Sequence, residues 1–196
     1  SHTQKLMNRA IGIMEEQGVS VENIHVLEHN IAFGMVKDGR ENGFENDDWP
    51  KIQKKILEAD ILVIGTPIWL GVKSSVATLA IERMYASSGD RNEKGQYLYY
   101  GKTAGCVVTG NEDGIKHCAM DILYAMRHIG YTIPPQADCG LIGAAGPGAS
   151  YGDTEFRDEK FATPVSHDNA FLNLNTTIIA QILIPHPPLP PTTRPL

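Results

Sequence analysis

The chain of 196 residues is long enough for one domain with a sizeable core, and 42% hydrophobic with 20% charged residues is an ordinary globular composition. A formal net charge of −6 argues against non-specific binding to nucleic acid or to anionic membranes, which both need basic surfaces. No apolar run is long enough to span a bilayer. Cys106, Cys118 and Cys139 follow no metal or disulfide spacing, which indicates buried thiols and a cytoplasmic protein.

Helical and strand patterns alternate from the first residue. The apolar spacing predicts a helix over residues 3–17 that stops at Gly18, followed by a strand in VENIHVLE and a loop over residues 28–46. The segment DDWPKIQKKILEAD predicts a helix that Asp47 or Asp48 caps. ILVIG is a continuous apolar run, which is typical of a strand buried on both faces.

The second half continues the alternation. SSVATLAIERMYA and IKHCAMDILYAMRHIG predict helices, TAGCVV and ADCGLIG predict strands, and residues 168–183 predict a last helix after a Gly-rich loop. This order predicts a parallel sheet with helices on both faces, formed by residues 1–183. Because the order begins with a helix, we expect the first strand of the sheet to be missing from this chain. The Pro-rich tail, residues 184–196, predicts disorder, with a ligand motif for a partner domain as the alternative.

Three segments would meet at one edge of this sheet, because ligands bind beyond the carboxyl ends of parallel strands. SHT offers hydroxyls and unpaired N–H groups at a helix start, which suits an anion, although a simple N-cap explains it more economically. In TPIWLG, Trp69 either lies against a flat ligand ring or covers the sheet end. In TGNEDG, Gly110 and Gly114 allow close backbone approach to a ligand or form a plain turn. Taken together, the three segments favour a ligand.

Other chemistry-bearing residues are better explained by structure. His117 and His128 fall on the outer face of a helix, which predicts surface positions. The pairs Asp47–Asp48 and Glu112–Asp113 are predicted to be caps and not catalytic dyads. The sequence has neither a nucleophile elbow nor a phosphate-loop lysine. We therefore name no catalytic residue and no metal ligand.

The blocks SHTQKL, ADILVIGTPIWLG, GKTAGCVVTGNEDGIKHCAM and GYTIPPQAD resemble the flavodoxin-like NAD(P)H-dependent oxidoreductases of the FMN reductase group. The resemblance implies a three-layer, flavodoxin-like, doubly wound parallel α/β sheet of order 2-1-3-4-5, in which the first strand lies between two others. It also implies FMN as cofactor, NAD(P)H as co-substrate and a homo-oligomer, either dimer or tetramer. Some relatives carry a cysteine cluster before the Asp-Asp helix, but the corresponding stretch here has no Cys, so we expect no iron–sulfur centre.

The resemblance also assigns cofactor-binding residues by position. The end of the phosphate-binding loop matches Ser1, His2 and Thr3. The loop along the ribityl chain and the inner ring edge matches Thr66, Pro67, Ile68, Trp69, Leu70 and Gly71. The loop at the pyrimidine edge matches Thr109, Gly110, Asn111, Glu112, Asp113 and Gly114. Tyr151 is expected to approach the ring.

Three functions remain in competition. The leading one is an enzyme that passes hydride from NAD(P)H through FMN to a small acceptor such as a quinone or free flavin. The second is a flavodoxin-type electron carrier. Carriers commonly hold the flavin between two aromatics, whereas only Trp69 is available here unless Tyr97, Tyr99 or Tyr100 folds over the ring. The third is a truncated fragment or interaction module that cannot hold FMN.

Overall fold

The computed structural model of the chain describes residues 1–111, 114–142 and 150–153. The predicted Gly-rich loop over residues 143–149, the last helix, the Pro-rich tail, Glu112 and Asp113 lie outside the described residues. The helices and strands of the described part are α1 His2–Glu16, α2 Trp49–Glu58, β1 Ile61–Trp69, β2 Val72–Lys73, α3 Ser75–Tyr85, β3 Thr103–Gly110, α4 Ile115–Ile129 and β4 Asp138–Ile142. Two short 3-10 helices span Val26–Glu28 and Gly39–Asn42.

The strands form one sheet in the order β2-β1-β3-β4. β1 runs parallel to β3, with Ile61 opposite Thr103 and Pro67 opposite Thr109, and β3 runs parallel to β4. The carboxyl ends of β1 and β3 therefore lie side by side at one edge of the sheet. The predicted parallel α/β sheet is confirmed.

Helices cover both faces of the sheet, so that every residue of β3 from Thr103 to Thr109 is buried. One face packs against α2, α3 and α4 and contains Cys106 and Val108 of β3. The opposite face packs against α1 and contains Val107 and Leu6. The chain thus has the three layers of a flavodoxin-like fold, with α1 alone on its side among the described helices.

One strand prediction is wrong, and another is wrong in part. VENIHVLE forms no strand: residues 19–25 have no regular structure before the 3-10 helix. A strand needs a neighbour for its backbone hydrogen bonds, and among the described residues none lies beside this segment. β1 is a strand but is not buried on both faces, since residues 61–64 are half-buried and Gly65 is exposed. In the described sheet only Ile68 and Trp69 pair on its outer side, with β2, so the rest of β1 is an edge.

The segment TPIWLG is a strand and a tight turn, and not the predicted loop. β1 continues through Trp69, and Leu70 and Gly71 then connect it to the antiparallel β2. Both turn residues have positive φ, +52° and +78°, as a two-residue hairpin of the primed type requires. A positive φ is costly for Leu70, whose side chain is 96% exposed.

The start of α2 carries a buried ion pair. Asp48, one of the two predicted caps, is the N-cap residue, and its side chain makes no capping hydrogen bond. The carboxylate of the preceding Asp47 accepts hydrogen bonds from the backbone N–H of Trp49, Ala32 and Gly39. Its carboxylate also accepts from Arg83 of α3 at 2.6 Å, and both side chains are fully buried. This pair fastens the long segment between α1 and α2 to α3.

Candidate functional site

A cavity of about 640 Å³ opens at the carboxyl ends of β1 and β3, beside the N-terminus of α1. This volume is within the range of small-molecule and cofactor sites, roughly 300–1,000 Å³. The described residues that line it are Ser1, His2, Thr3, Pro67, Ile68, Trp69, Leu70, Thr109, Gly110, Asn111, Ser150 and Tyr151. Among these, none is Asp, Glu, Lys or Arg, so the wall offers hydroxyls, amides, one imidazole and aromatic surface.

The α1 end of the cavity suits an anion. Ser1 is the N-cap, and its hydroxyl accepts from the N–H of Gln4 at a long 3.4 Å. The N–H groups of the first helical turn have no acceptor within the helix, and the helix dipole places partial positive charge there. These groups and the hydroxyls of Ser1 and Thr3 provide a cradle for a phosphate without any Lys or Arg in the wall.

The hairpin forms the opposite wall of the cavity. Trp69, 55% exposed, presents an aromatic surface at the rim, next to Leu70. Thr66 does not reach the cavity: it is fully buried, and its hydroxyl accepts from the backbone N–H of Ser74 and donates to the Ser74 hydroxyl. Since Ser74 caps α3, Thr66 holds the hairpin against the start of that helix.

Two of the predicted segments are joined directly. The hydroxyls of Thr3 and Thr109 lie 2.7 Å apart and are buried, so a hydrogen bond connects the first turn of α1 to the end of β3. At the far side, the position of a Cβ on Gly114 would lie 2.8 Å from the carbonyl oxygen of Gly71. Gly114 also has a φ of +133°, so only glycine fits this backbone contact between the hairpin and α4.

The cavity is closed on a further side by residues 150–153, which form a turn. Tyr151 is 6% exposed and packs against Leu6, Ala10 and Val107 while lining the cavity. Ser150 exchanges two hydrogen bonds with the amide of Asn111, at 2.7 and 3.0 Å. Tyr151 therefore lines the same cavity as the α1, hairpin and β3 segments.

The structure brings together most, but not all, of the residues that the sequence singled out. Thr66, Gly71 and Gly114 support the wall without lining it. Glu112 and Asp113 lie outside the described residues. Ser150 lines the cavity although the sequence did not single it out. In the sequence, only its position next to Tyr151 could have indicated that Ser150 lines the cavity.

The tyrosines that were candidates for covering the flavin ring lie outside the described cavity wall. Tyr99 is fully buried, donates to the carbonyl of Met84 and stacks on Tyr131 at 5.1 Å. Tyr97 pairs with Arg91 in an isolated bridge. Neither is among the described residues of the cavity wall, and nor is Tyr100. Within the described part of the chain, the aromatic rings of the wall are those of Trp69, Tyr151 and His2.

No thiol near the site is set up as a nucleophile. Cys118 lies under the hairpin, with its sulfur 3.9 Å from the carbonyl oxygen of Gly71. Burial raises the pKa of the Cys118 thiol, and burial likewise raises the pKa of Cys106 well above its usual range. Both cysteines are packing residues, as the sequence predicted. His117 and His128 are exposed, also as predicted.

Residues 1–142 match the family described as NADPH-dependent FMN reductase. The chain belongs to this family. The NADPH-dependent FMN reductase family gives the chain its broad class, a flavin-dependent oxidoreductase with FMN as the implied flavin. The flavodoxin-like fold and the cavity beyond β1 and β3 agree with that class.

Individual relatives place the chain within the family. It is 33% identical over 192 residues to an 8-demethyl-8-aminoriboflavin-5'-phosphate synthase of Streptomyces davaonensis, covering 93% of the chain and 72% of the relative. It also resembles a crystal structure of RosB with the bound intermediate 8-demethyl-8-formylriboflavin-5'-phosphate, with a TM-score of 0.81 and 31% identity. That match covers 95% of the chain and 75% of the RosB chain.

A third relative is much longer. The chain is 51% identical over 179 residues to a Mycobacterium bovis protein named divalent metal cation transporter MntH. The match covers 91% of this chain and 25% of that protein, so the chain spans about a quarter of its length. In the described residues, no helix is long and apolar enough to cross a membrane. The same residues contain no group of three or more His, Cys, Asp or Glu side chains that could hold a metal ion.

Proposed function

We propose that the chain binds FMN in the cavity between α1, the hairpin and β3, and passes hydride from NAD(P)H through it to a small acceptor such as a quinone or free flavin. The observation that carries the proposal is the convergence of the α1 N-terminus, the Trp69 hairpin and the end of β3 on one cavity of about 640 Å³. Membership in the NADPH-dependent FMN reductase family supports the same cofactor.

The cavity wall offers suitable groups for each part of FMN, from the phosphate to the ring. The first turn of α1 would hold the phosphate through N–H groups and the hydroxyls of Ser1 and Thr3. Trp69 and Tyr151 line the part of the cavity that would hold the ring system. Asn111 and the backbone at Gly110 would lie at its polar edge.

When bound, FMN supplies the hydride chemistry, and the protein supplies binding, orientation and electrostatics. The backbone dipoles at the end of β3 are fixed before any ligand arrives, so they cost little reorganisation where charge develops. The hydrogen bond between Thr3 and Thr109 keeps the two ends of the cavity at a constant separation. No side chain is assigned as a general acid or base.

Fluorescence titration of the purified chain with FMN tests the binding half of the proposal. Trp69→Ala is expected to weaken FMN binding about tenfold or more, because stacking of a base or flat ring on an aromatic side chain contributes about 1–3 kcal/mol. Phe33→Ala is the matched control, since Phe33 is an exposed aromatic that does not line the cavity. Equal affinity of the Trp69→Ala protein and the wild type would contradict this placement of the ring.

A second candidate is chemical modification of a bound flavin phosphate. It is favoured by the likeness to the Streptomyces davaonensis synthase and to RosB, whose names both refer to riboflavin-5'-phosphate derivatives. Mass spectrometry of the flavin recovered after turnover separates the candidates. The leading proposal predicts FMN of unchanged mass, whereas a modifying enzyme would return a flavin of altered mass.

We further propose that the chain acts as a cytoplasmic homo-oligomer, a dimer or a tetramer. Exposed apolar side chains on the hairpin and on the adjacent α4 support a contact between copies: Trp69, Leu70, Val72, Met120 and Tyr124. Light scattering coupled to gel filtration tests this, and a monomer at all concentrations would contradict it. Buried cysteines support a reducing compartment.

A further inference from the structure

The 150–153 turn contacts both ends of the cavity. On one side, Ser150 is hydrogen bonded to Asn111, which follows β3 at the end expected to face the ring. On the other side, the backbone of Gly152 is held by α1: its N–H donates to Nδ1 of His2 at 2.9 Å, and its carbonyl oxygen accepts from Nζ of Lys5 at 2.5 Å. Tyr151 lies between these two anchors and is buried in the cavity wall.

The absence of a side chain at Gly152 lets two side chains of α1 approach the turn closely. A Cβ on Gly152 would lie 2.7 Å from Nδ1 of His2 and 2.8 Å from Cδ of Lys5, closer than real Cβ contacts. An added Cβ would therefore displace the far ends of these two side chains and weaken both hydrogen bonds. Within the turn, the N–H of Asp153 donates to the carbonyl of Ser150 at 2.8 Å.

We propose that Lys5 and Gly152 are positioning residues that fix Tyr151 against the flavin ring, so that the anchor at the α1 end controls affinity for the ring and not only for the phosphate. This inference rests on the proposed function and adds two residues that do not line the cavity. Lys5 acts through the carbonyl of Gly152, and Gly152 acts through the position of its neighbour Tyr151.

The alternative role for Lys5 is direct attraction of the phosphate, since Lys5 lies on the second turn of α1. The two roles predict different ligand dependence. If the Lys5 charge acts on the phosphate, its removal lowers the affinity for FMN and leaves the affinity for riboflavin, which has no phosphate, unchanged. A positioning residue that acts through Tyr151 affects both ligands by the same factor.

The test compares FMN and riboflavin binding to wild type, Lys5→Met and Lys5→Arg. Lys5→Met keeps the apolar stem and removes the donor, and it is expected to weaken the binding of both ligands by about three- to tenfold, the effect of losing one solvent-exposed hydrogen bond of ordinary strength. Lys5→Arg keeps a donor and is expected to recover most of the loss for both. Loss of affinity for FMN alone, or no loss, would overturn the proposal.

Gly152→Ala tests the other side of the same contact. It is expected to weaken the binding of FMN and of riboflavin by the same factor, because the added Cβ displaces the His2 and Lys5 side chains that hold the turn. Gly89→Ala is the matched control, since a Cβ there meets no atom within 4 Å and its φ is not positive. Unchanged affinity in Gly152→Ala would also overturn the proposal.

Hydrogen exchange without ligand separates this inference from the proposed function. The N–H of Gly152 is expected to exchange slowly in wild type and faster in Lys5→Met, while Gly89→Ala exchanges as wild type. A wild-type chain that binds no flavin would refute the proposed function, and the exchange rates would then decide alone whether Lys5 holds the turn. Equal exchange in wild type and Lys5→Met would refute the anchor.

Discussion

Removal of Arg83 should destabilise the protein more than any change to a surface charge. Arg83→Met eliminates donors to the carboxylate of Asp47 at 2.6 Å, to the carbonyl of Ala32 at 2.8 Å and to that of Lys37 at 3.2 Å. It also leaves the fully buried Asp47 without its counter-ion. Breaking a buried pair from one side costs about 3–5 kcal/mol. We expect about 3 kcal/mol, because three backbone N–H groups still donate to Asp47.

Urea unfolding followed by circular dichroism measures this loss. With a slope of about 2 kcal/mol per molar, the midpoint should fall by about 1.5 M. Lys37→Met is the matched control, because the Lys37 side chain pairs with Asp90 at the surface, where both are about half exposed. That pair should contribute less than about 1 kcal/mol. An Arg83→Met midpoint within error of the control would refute the reasoning.

The same pair predicts a pH dependence with a defined sign. Burial alone would raise the pKa of Asp47, but hydrogen bonds from Gly39, Arg83 and two other donors outweigh it and hold the pKa below its usual value. A carboxylate with a lowered folded pKa contributes stability above its unfolded pKa of about 3.9, and this stability is lost as pH falls through the folded value. The free energy of unfolding should therefore decrease less on acidification in the Asp47→Asn protein than in wild type.

Four further substitutions have defined outcomes. Gly39→Ala should cost several kcal/mol in urea unfolding, because its Cβ would lie 2.2 Å from that of Ala32, whereas Gly12→Ala inside α1, with open space around it, should gain about 0.5–1 kcal/mol. Burial raises the pKa of Tyr99 to about 12, so stability should fall as pH rises from about 10 towards 12, and Tyr99→Phe should remove that part of the loss. Thr109→Val leaves the buried hydroxyl of its partner on α1 unpaired and should cost about 1–3 kcal/mol in unfolding, while equal stability would contradict the hydrogen bond.

Local sequence patterns predicted the helices that are buried on one face and the strand that is buried on both faces. The helical spacing of apolar residues in α4 and the unbroken apolar run of β3 are direct consequences of packing, so they can be read from the sequence. The position of the cavity followed from topology, because the ends of parallel strands meet at one edge. This is why segments around Thr3, Trp69 and Thr109, far apart in sequence, were expected together.

Features that depend on distant partners could not be predicted. The turn at Leu70 and Gly71 has only one glycine where two residues need positive φ, so the hairpin signal was weak. Whether VENIHVLE becomes a strand depends on a neighbour, and its own alternation cannot supply one. The anchor of Gly152 on Lys5 joins residues 147 positions apart, and nothing in either local sequence indicates it.

Anaerobic titration of the FMN-loaded chain with NADPH and then NADH tests the central claim most directly. We expect the purified chain to take up FMN with saturation at one flavin per chain, and at least one of the two nicotinamides to bleach the absorbance of the bound flavin. A chain that takes up no FMN, or bound FMN that stays oxidised with both nicotinamides, would contradict this claim.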